Sequence, residues 1–374
     1  MQKPLLMIPG PCALTGEVQA AMSQPLVPHY GEEWVREYNE TRNSLKPLLG
    51  TKEKVYLTVG SGHAGIEAAV NALAGCGEKM LVVDNGFFGE RIACIARSYG
   101  IKVVLIKEEW GKPVDPALVE KALEDERDVR ALAVVHGETS TGVVNPIKEI
   151  GEITCRRGIP LFVDAVCSVG GMEFLMDEWG VDVCVTASQK GLAAPPGLAI
   201  IALSEKAQGF LAARKSPPVG WYLNLQVWQE FEEKQGHFQP YGITMAVNNV
   251  RALKVSLDQI HQEGLKQRFH RHEQVARRIR EGVAALGLET LAQGEALPLV
   301  TAIKCPPGVK AEEIVCFLKE KHDIYISGGL GPHKEDTFRV GHMGAMATLE
   351  AAESFLEALG DFLKQHRQIR SCTS

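Results

Sequence analysis

Lys190 stands where a lysine can do covalent chemistry. It follows the apolar run Val181-Asp-Val-Cys-Val-Thr-Ala-Ser-Gln and precedes Gly-Leu-Ala-Ala-Pro-Pro-Gly197, so it sits at the end of an expected strand among small residues. An ammonium in apolar surroundings loses hydration, its pKa falls, and the freed lone pair can attack a carbonyl. Lys190 is therefore a Schiff-base candidate, although a lysine that ends a strand can equally carry its charge out to water. Two more side chains place charge in apolar runs. Asp164, in Pro160-Leu-Phe-Val-Asp-Ala-Val166, needs either donors in the core or a cation such as the ring nitrogen of a ligand. Arg339, in Thr337-Phe-Arg-Val-Gly341, needs either an internal carboxylate or a bidentate carboxylate on a substrate.

Alternating strands and helices must position these groups. Val55–Val59 reads as a strand, Gly60-Ser-Gly-His63 as a turn and Ala64–Ala74 as a helix, a junction whose free N–H groups suit a phosphate or simply start a capped helix. Strands at Lys79–Val83 and Lys102–Ile106 alternate with helices at Glu90–Tyr99 and Pro116–Glu124, the pattern of a mainly parallel α/β sheet. Phe88, in the loop Asn85-Gly-Phe-Phe-Gly89, either stacks on a flat ring or packs in the core. Three further strands, Val129–His136, Leu161–Val166 and Val181–Ala187, all end in polar residues, and their carboxyl ends converge on one crevice. His136 serves there as an acid or base, or stacks and caps a turn. At the start of the chain, Met7-Ile-Pro-Gly-Pro-Cys12 is a turn, or brings the Gly10 backbone close to a ligand.

An aromatic-rich segment, Gly220–Gly242, reads as a crossing segment at an oligomer interface or as a second core. Beyond it, helical periodicity over Val247–Glu263 and Leu265–Leu286 leads into a tail of alternating strands and helices. These divide the chain into an arm plus large α/β domain over residues 1–250 and a smaller α+β domain over residues 251–374. With 40 basic against 46 acidic residues and no basic block, a nucleic-acid footprint is absent. The nine cysteines form no C-x-x-C pair and lie mostly in apolar runs, so we expect buried, reduced thiols in a cytoplasmic protein and assign no metal. Neither a signal peptide nor a membrane span is expected.

Six segments occur in order: Ser61-Gly-His, Asn85-Gly-Phe-Phe-Gly, His136-Gly-Glu-Thr-Ser-Thr-Gly, Val163-Asp-Ala-Val, Ser188-Gln-Lys-Gly with Ala194-Pro-Pro-Gly, and Gly328-Gly-Leu-Gly-Pro with Phe338-Arg-Val-Gly-His-Met-Gly. Together they resemble class V pyridoxal-phosphate aminotransferases of the alanine–glyoxylate and serine–pyruvate family, over nearly the whole chain. The resemblance implies the type I fold of pyridoxal-phosphate transferases and a homodimer with active sites near the subunit interface. It implies that Lys190 holds pyridoxal 5'-phosphate as an internal aldimine and shuttles a proton, and that Asp164 pairs with the pyridinium nitrogen. Ser61, Gly62, His63 and Gln189 then surround the phosphate, and Phe88 stands where the family often stacks a Trp, with Val166 on the other ring face. Thr139 lies beside the phenolic oxygen and substrate carboxylate, Arg339 grips that carboxylate, and Gly10 lies on the substrate side. The family's cross-subunit hydroxyls map onto His237-Phe-Gln-Pro-Tyr-Gly-Ile-Thr244, where Phe238 cannot donate and Tyr241 or Thr244 takes its place.

The expected activity is a ping-pong transfer of an amino group from alanine or serine to glyoxylate or pyruvate. Ureidoglycine–glyoxylate and 2-aminoethylphosphonate aminotransferases are alternatives on the same fold. A cysteine desulfurase is less well supported, because no cysteine lies just before Arg339. A nicotinamide-dependent oxidoreductase or a non-catalytic binding module gives Lys190 no task.

Overall fold

The computed structural model describes residues 4–214 and 217–373, with side chains to residue 366. Seven strands form the central sheet: β1 (Lys54–Val59), β2 (Lys79–Asp84), β3 (Lys102–Lys107), β4 (Val129–Val135), β5 (Leu161–Asp164), β6 (Val183–Ala187) and β7 (Leu198–Leu203). Their spatial order is β1-β7-β6-β5-β4-β2-β3. All run parallel except β7, which is antiparallel to both β1 and β6. The inner strands β5, β6 and β7 are buried along their whole length, which is why they read as continuous apolar runs rather than alternating ones. This is the α/β, mainly parallel arrangement expected from the sequence.

The reading above has no β7. Leu198-Ala-Ile-Ile-Ala-Leu203 is a short apolar run after Pro195-Pro-Gly197, and such a run carries no periodicity to separate strand from buried helix. Likewise, Gly62 and His63 do not form a turn. They make the first turn of the helix Gly62–Leu73, whose N-cap is Ser61.

A second core joins the helices Leu265–Ala285, Ala311–His322 and Leu349–Thr373 to a small antiparallel sheet of Val300–Lys304, Thr337–Gly341 and Ser327–Gly328. Two elements cross a cut at residue 250. The helix Val247–Glu263 gives Val250, Leu253, Leu257 and Ile260 to the large core. At the other end of the chain, Leu5–Leu6 pairs in parallel with Ile324–Tyr325, and Met7 is buried in the second core.

That pairing turns residues 5–12 into a strap between the small sheet and the site. Met7 N donates to Tyr325 O at 2.8 Å, Gly341 N donates to Met7 O at 2.7 Å, and Cys12 N donates to Gln189 O at 3.1 Å. The strap passes so close to Gly341 that a β-carbon there would lie 2.1 Å from Ile8 O. Backbone cannot yield as a side chain does. Gly341→Ala is therefore expected to destabilise the protein by about 1–3 kcal/mol, the usual cost of overpacking. Thermal unfolding measures this, and an unchanged midpoint would contradict a tightly docked strap.

Candidate active site

The carboxyl ends of β1, β4, β5 and β6 open on one cleft, and Lys190 lines it. The turn that presents this lysine is fixed on every side. Ser188 Oγ donates to Pro195 O at 2.5 Å, Ala193 N donates to Lys190 O at 2.9 Å, and Ala193 takes a left-handed φ of 51°. Arg268 donates to Gly170 O at 2.6 Å and to Gly191 O at 2.7 Å, clamping the turn from behind. The Lys190 ammonium donates to Pro9 O on the strap. Gly10 makes this approach possible, since a β-carbon there would lie 2.6–2.8 Å from Cδ, Cε and Nζ of Lys190.

Asp164 ends β5 with its carboxyl buried, accepting from Val166 N at 2.9 Å. Burial pushes its pKa up to about 7; the nearby Glu138 charge acts in the same direction, while the Val166 N–H and Lys190 oppose it. A cation placed against this carboxyl would restore its ionised form. Val166 and Phe88 both line the cleft. Val166 also touches the helix Gly62–Leu73, where a β-carbon on Gly62 would sit 3.0 Å from Val166 Cγ2.

Ser61, Gly62 and His63 line the cleft at the start of their 12-residue helix, and no side chain caps that N-terminus. Its free N–H groups and positive dipole end fit an anion. Gln189 Oε1 and His63 Nε2 are buried there without a partner among the described residues. The donors, the buried carboxyl and the amine thus fit pyridoxal phosphate: an anion site, a ring-cation site and a nucleophile in one cleft.

Thr139 lines the cleft, and its carbonyl accepts from Arg339 Nη1 at 3.5 Å. Arg339 Nε donates to Gly328 O at 2.9 Å. Burial lowers the guanidinium's pKa to about 10, still well above neutral, so it keeps its charge. Among the described residues, no carboxylate forms an ion pair with it. The internal salt bridge allowed by the sequence is absent from this part of the structure.

His136 is not in the cleft. Its ring packs against Phe174 and Trp179 at 5.4 and 5.6 Å, and burial lowers its pKa to about 3, so it stays neutral. Cys167, which sequence reasoning assigned no role, does line the cleft, directly after Val166. The expectation of mostly buried thiols is corrected: Cys12, Cys167 and Cys184 are buried, but Cys76, Cys94, Cys155 and Cys316 are exposed. The last three lie on the outer faces of amphipathic helices.

Gly60-Ser-Gly-His-Ala-Gly65 also has the spacing of a dinucleotide-binding fingerprint, and Asp84 ends the following strand. The N-terminus of the helix Gly62–Leu73 therefore does not by itself separate a nicotinamide enzyme from an aminotransferase. Similarity to known proteins does. The family model described as "Aminotransferase class-V" matches residues 16–345. An uncharacterized aminotransferase of Methanocaldococcus jannaschii is 38% identical, with 97% of this chain and 95% of that protein covered. The solved alanine–glyoxylate aminotransferase of Nostoc sp. superposes with a TM-score of 0.92 at 31% identity, covering 97% of this chain and 96% of that one. The ureidoglycine–glyoxylate aminotransferase of Bacillus subtilis gives 0.92 at 30% identity, covering 98% and 94%. The chain belongs to the class V aminotransferases, enzymes whose chemistry runs on pyridoxal phosphate.

Proposed function

We propose that this aminotransferase takes an amino group from a small carboxylate-bearing amino acid, alanine or serine, and passes it to glyoxylate or pyruvate. The supporting observation is Arg339: a buried guanidinium whose described partners are two carbonyl oxygens, beside the cleft that holds Lys190. A bidentate carboxylate satisfies its remaining donors. Gly10, Pro11 and Cys167 wall the cleft and favour a short substrate side chain. Ureidoglycine also carries a carboxylate, and the solved enzyme named for it superposes as well as the alanine–glyoxylate one, so it stands as a second reading.

In this reading, Arg339 and Thr139 fix the substrate carboxylate and thereby aim the Cα–H at Lys190. The Lys190 amine, once free, would carry the proton between Cα and the cofactor's C4′ in each half of the cycle. Asp164 holds the ring nitrogen in its protonated form, and Phe88 and Val166 hold the ring plane. When bound, pyridoxal phosphate supplies the electron sink that makes the Cα–H acidic. Ser61, Gly62, His63 and Gln189 hold its phosphate.

A homodimer fits the exposed aromatics Tyr30, Trp221, Tyr222 and Phe238, which would otherwise face water. Tyr241 is not available to a partner, because its buried hydroxyl donates to His29 O at 2.5 Å and accepts from the Trp34 indole. Thr244 is exposed and is the hydroxyl we assign to the neighbouring subunit's phosphate site. No described helix is long and apolar enough to cross a membrane. We place the protein in the cytoplasm, where its exposed cysteines stay reduced.

A panel of half-reactions followed through the cofactor's absorption tests the assignment. Alanine or serine should convert fastest, with glyoxylate or pyruvate reversing the change; faster conversion by 2-aminoethylphosphonate would overturn it. In the same panel, Arg339→Ala is expected to raise KM for carboxylate donors by about tenfold to a hundredfold, as for a lost charge-assisted pair. It should leave cofactor affinity within about threefold. Equal KM in wild type and variant would refute the clamp.

Asp164 makes a prediction with a definite sign. In the cofactor-free protein its raised pKa contributes stability that is complete below the ordinary carboxylate pKa and is lost as pH rises through about 7. Asp164→Asn removes that loss. The cofactor-free variant should therefore melt about 2–4 °C above wild type near pH 8 and about level with it near pH 4. The cofactor-loaded variant should lose activity. A stability difference that does not grow with pH would count against a desolvated carboxyl at this position.

A further inference from the structure

Glu138 is fully buried at the loop that also carries Thr139, and no basic side chain forms an ion pair with it among the described residues. Its carboxylate is instead surrounded by donors from two elements. Oε2 accepts from Phe88 N at 3.1 Å and from Gly89 N at 3.2 Å. Oε1 accepts from Ser140 N at 3.0 Å and from Ser140 Oγ at 2.6 Å. Ser140 Oγ in turn accepts from Phe87 N at 3.0 Å.

The helix Phe87–Ser98 has Gly86 at its N-cap and no side-chain cap there. Its first three N–H groups are therefore satisfied by residues more than 45 positions away, and the negative charge lies at the positive end of the helix dipole. Gly86 makes the space for this, since a β-carbon there would sit 2.3–2.8 Å from Cγ, Cδ and Oε2 of Glu138. The two elements joined this way carry Phe88 and Thr139, and the Thr139 carbonyl also receives Arg339.

We propose that Glu138 is a positioning residue: its carboxylate locks the first turn of the Phe87–Ser98 helix to the Thr139 loop and so sets Phe88 against the cofactor ring. The inference rests on the cofactor assignment made above. A buried carboxylate with four donors is rigid, because each donor would lose its partner if the carboxylate moved. Burial that served only stability would not need the joined elements to carry ring-facing and carboxylate-binding residues.

A double-mutant cycle on the cofactor-loaded enzyme tests it. Glu138→Gln keeps the volume but turns an amide N–H₂ toward backbone donors. It should lower the rate of the alanine half-reaction by about tenfold to a hundredfold and weaken the induced circular dichroism of the cofactor's visible band. Phe88→Leu should have a similar effect, and the double variant should fall no more than about threefold below Phe88→Leu alone, because both changes act through one ring. Multiplying effects, or a Glu138→Gln enzyme with wild-type rate and dichroism, would overturn the inference. Should Glu138→Gln fail to fold, Ser140→Ala takes its place: a smaller loss, again not multiplying with Phe88→Leu, is expected, and a wild-type rate overturns the proposal. If wild type itself has no visible cofactor band, the site assignment is what has failed, and this inference falls with it.

Discussion

The active site depends on buried titratable groups that the chain, among its described residues, leaves without a counter-ion. Asp164 and Arg339 are both desolvated, yet neither is the other's counter-ion: one faces a backbone N–H and the other two carbonyls. Within a folded core, such groups cost several kcal/mol unless something of opposite charge arrives. A ligand cationic at one end and anionic at the other would meet both needs. The helix that begins at Gly62 adds a third unmet demand, an N-terminus without a side-chain cap. A phosphorylated ring joined to an amino acid would answer all three together, as the proposed function requires.

Rigidity around Lys190 follows from where the strain is placed. The turn after β6 holds Ala193 at positive φ and packs Gly191 so tightly that a β-carbon would lie 2.4 Å from Val169 O. Arg268 spends its guanidinium on the Gly191 carbonyl of this turn, on the Gly170 carbonyl of the loop after β5 and on Glu263, the last at 2.9 Å. On the open side, the strap brings Pro9 and Gly10 over the lysine while its other end is sewn into the small sheet. The two cores are thus tied through the turn that carries Lys190. Movement of the small unit would be transmitted to Lys190 through the few residues of strap between Leu6 and Pro9, a short path.

Much of this was legible in the sequence wherever residue type and local pattern act together. The strand ends at His136, Asp164 and Ser188 could be seen because polar residues interrupt apolar runs, and the structure brings Asp164, Thr139 and Lys190 to one cleft. Long-range satisfaction was not legible. The cap that Glu138 gives to Phe88 and Gly89 spans about fifty residues, and no local signal links them. The same holds for the Tyr241 hydroxyl, which finds Trp34 and His29 across the chain. β7 and the Leu5–Leu6 pairing were missed for another reason: runs of two to six apolar residues carry no period, so only their partners define them. The exposed cysteines show the converse error, since a thiol in an apolar run can lie on the outer face of an amphipathic helix.

The central claim is that Lys190 forms the covalent bond to pyridoxal phosphate. Borohydride reduction of the cofactor-loaded enzyme followed by peptide mass mapping tests it most directly. A pyridoxyl group is expected on the Lys190 peptide and on no other. Full incorporation at a different lysine, or an active enzyme that takes up no label, would contradict it.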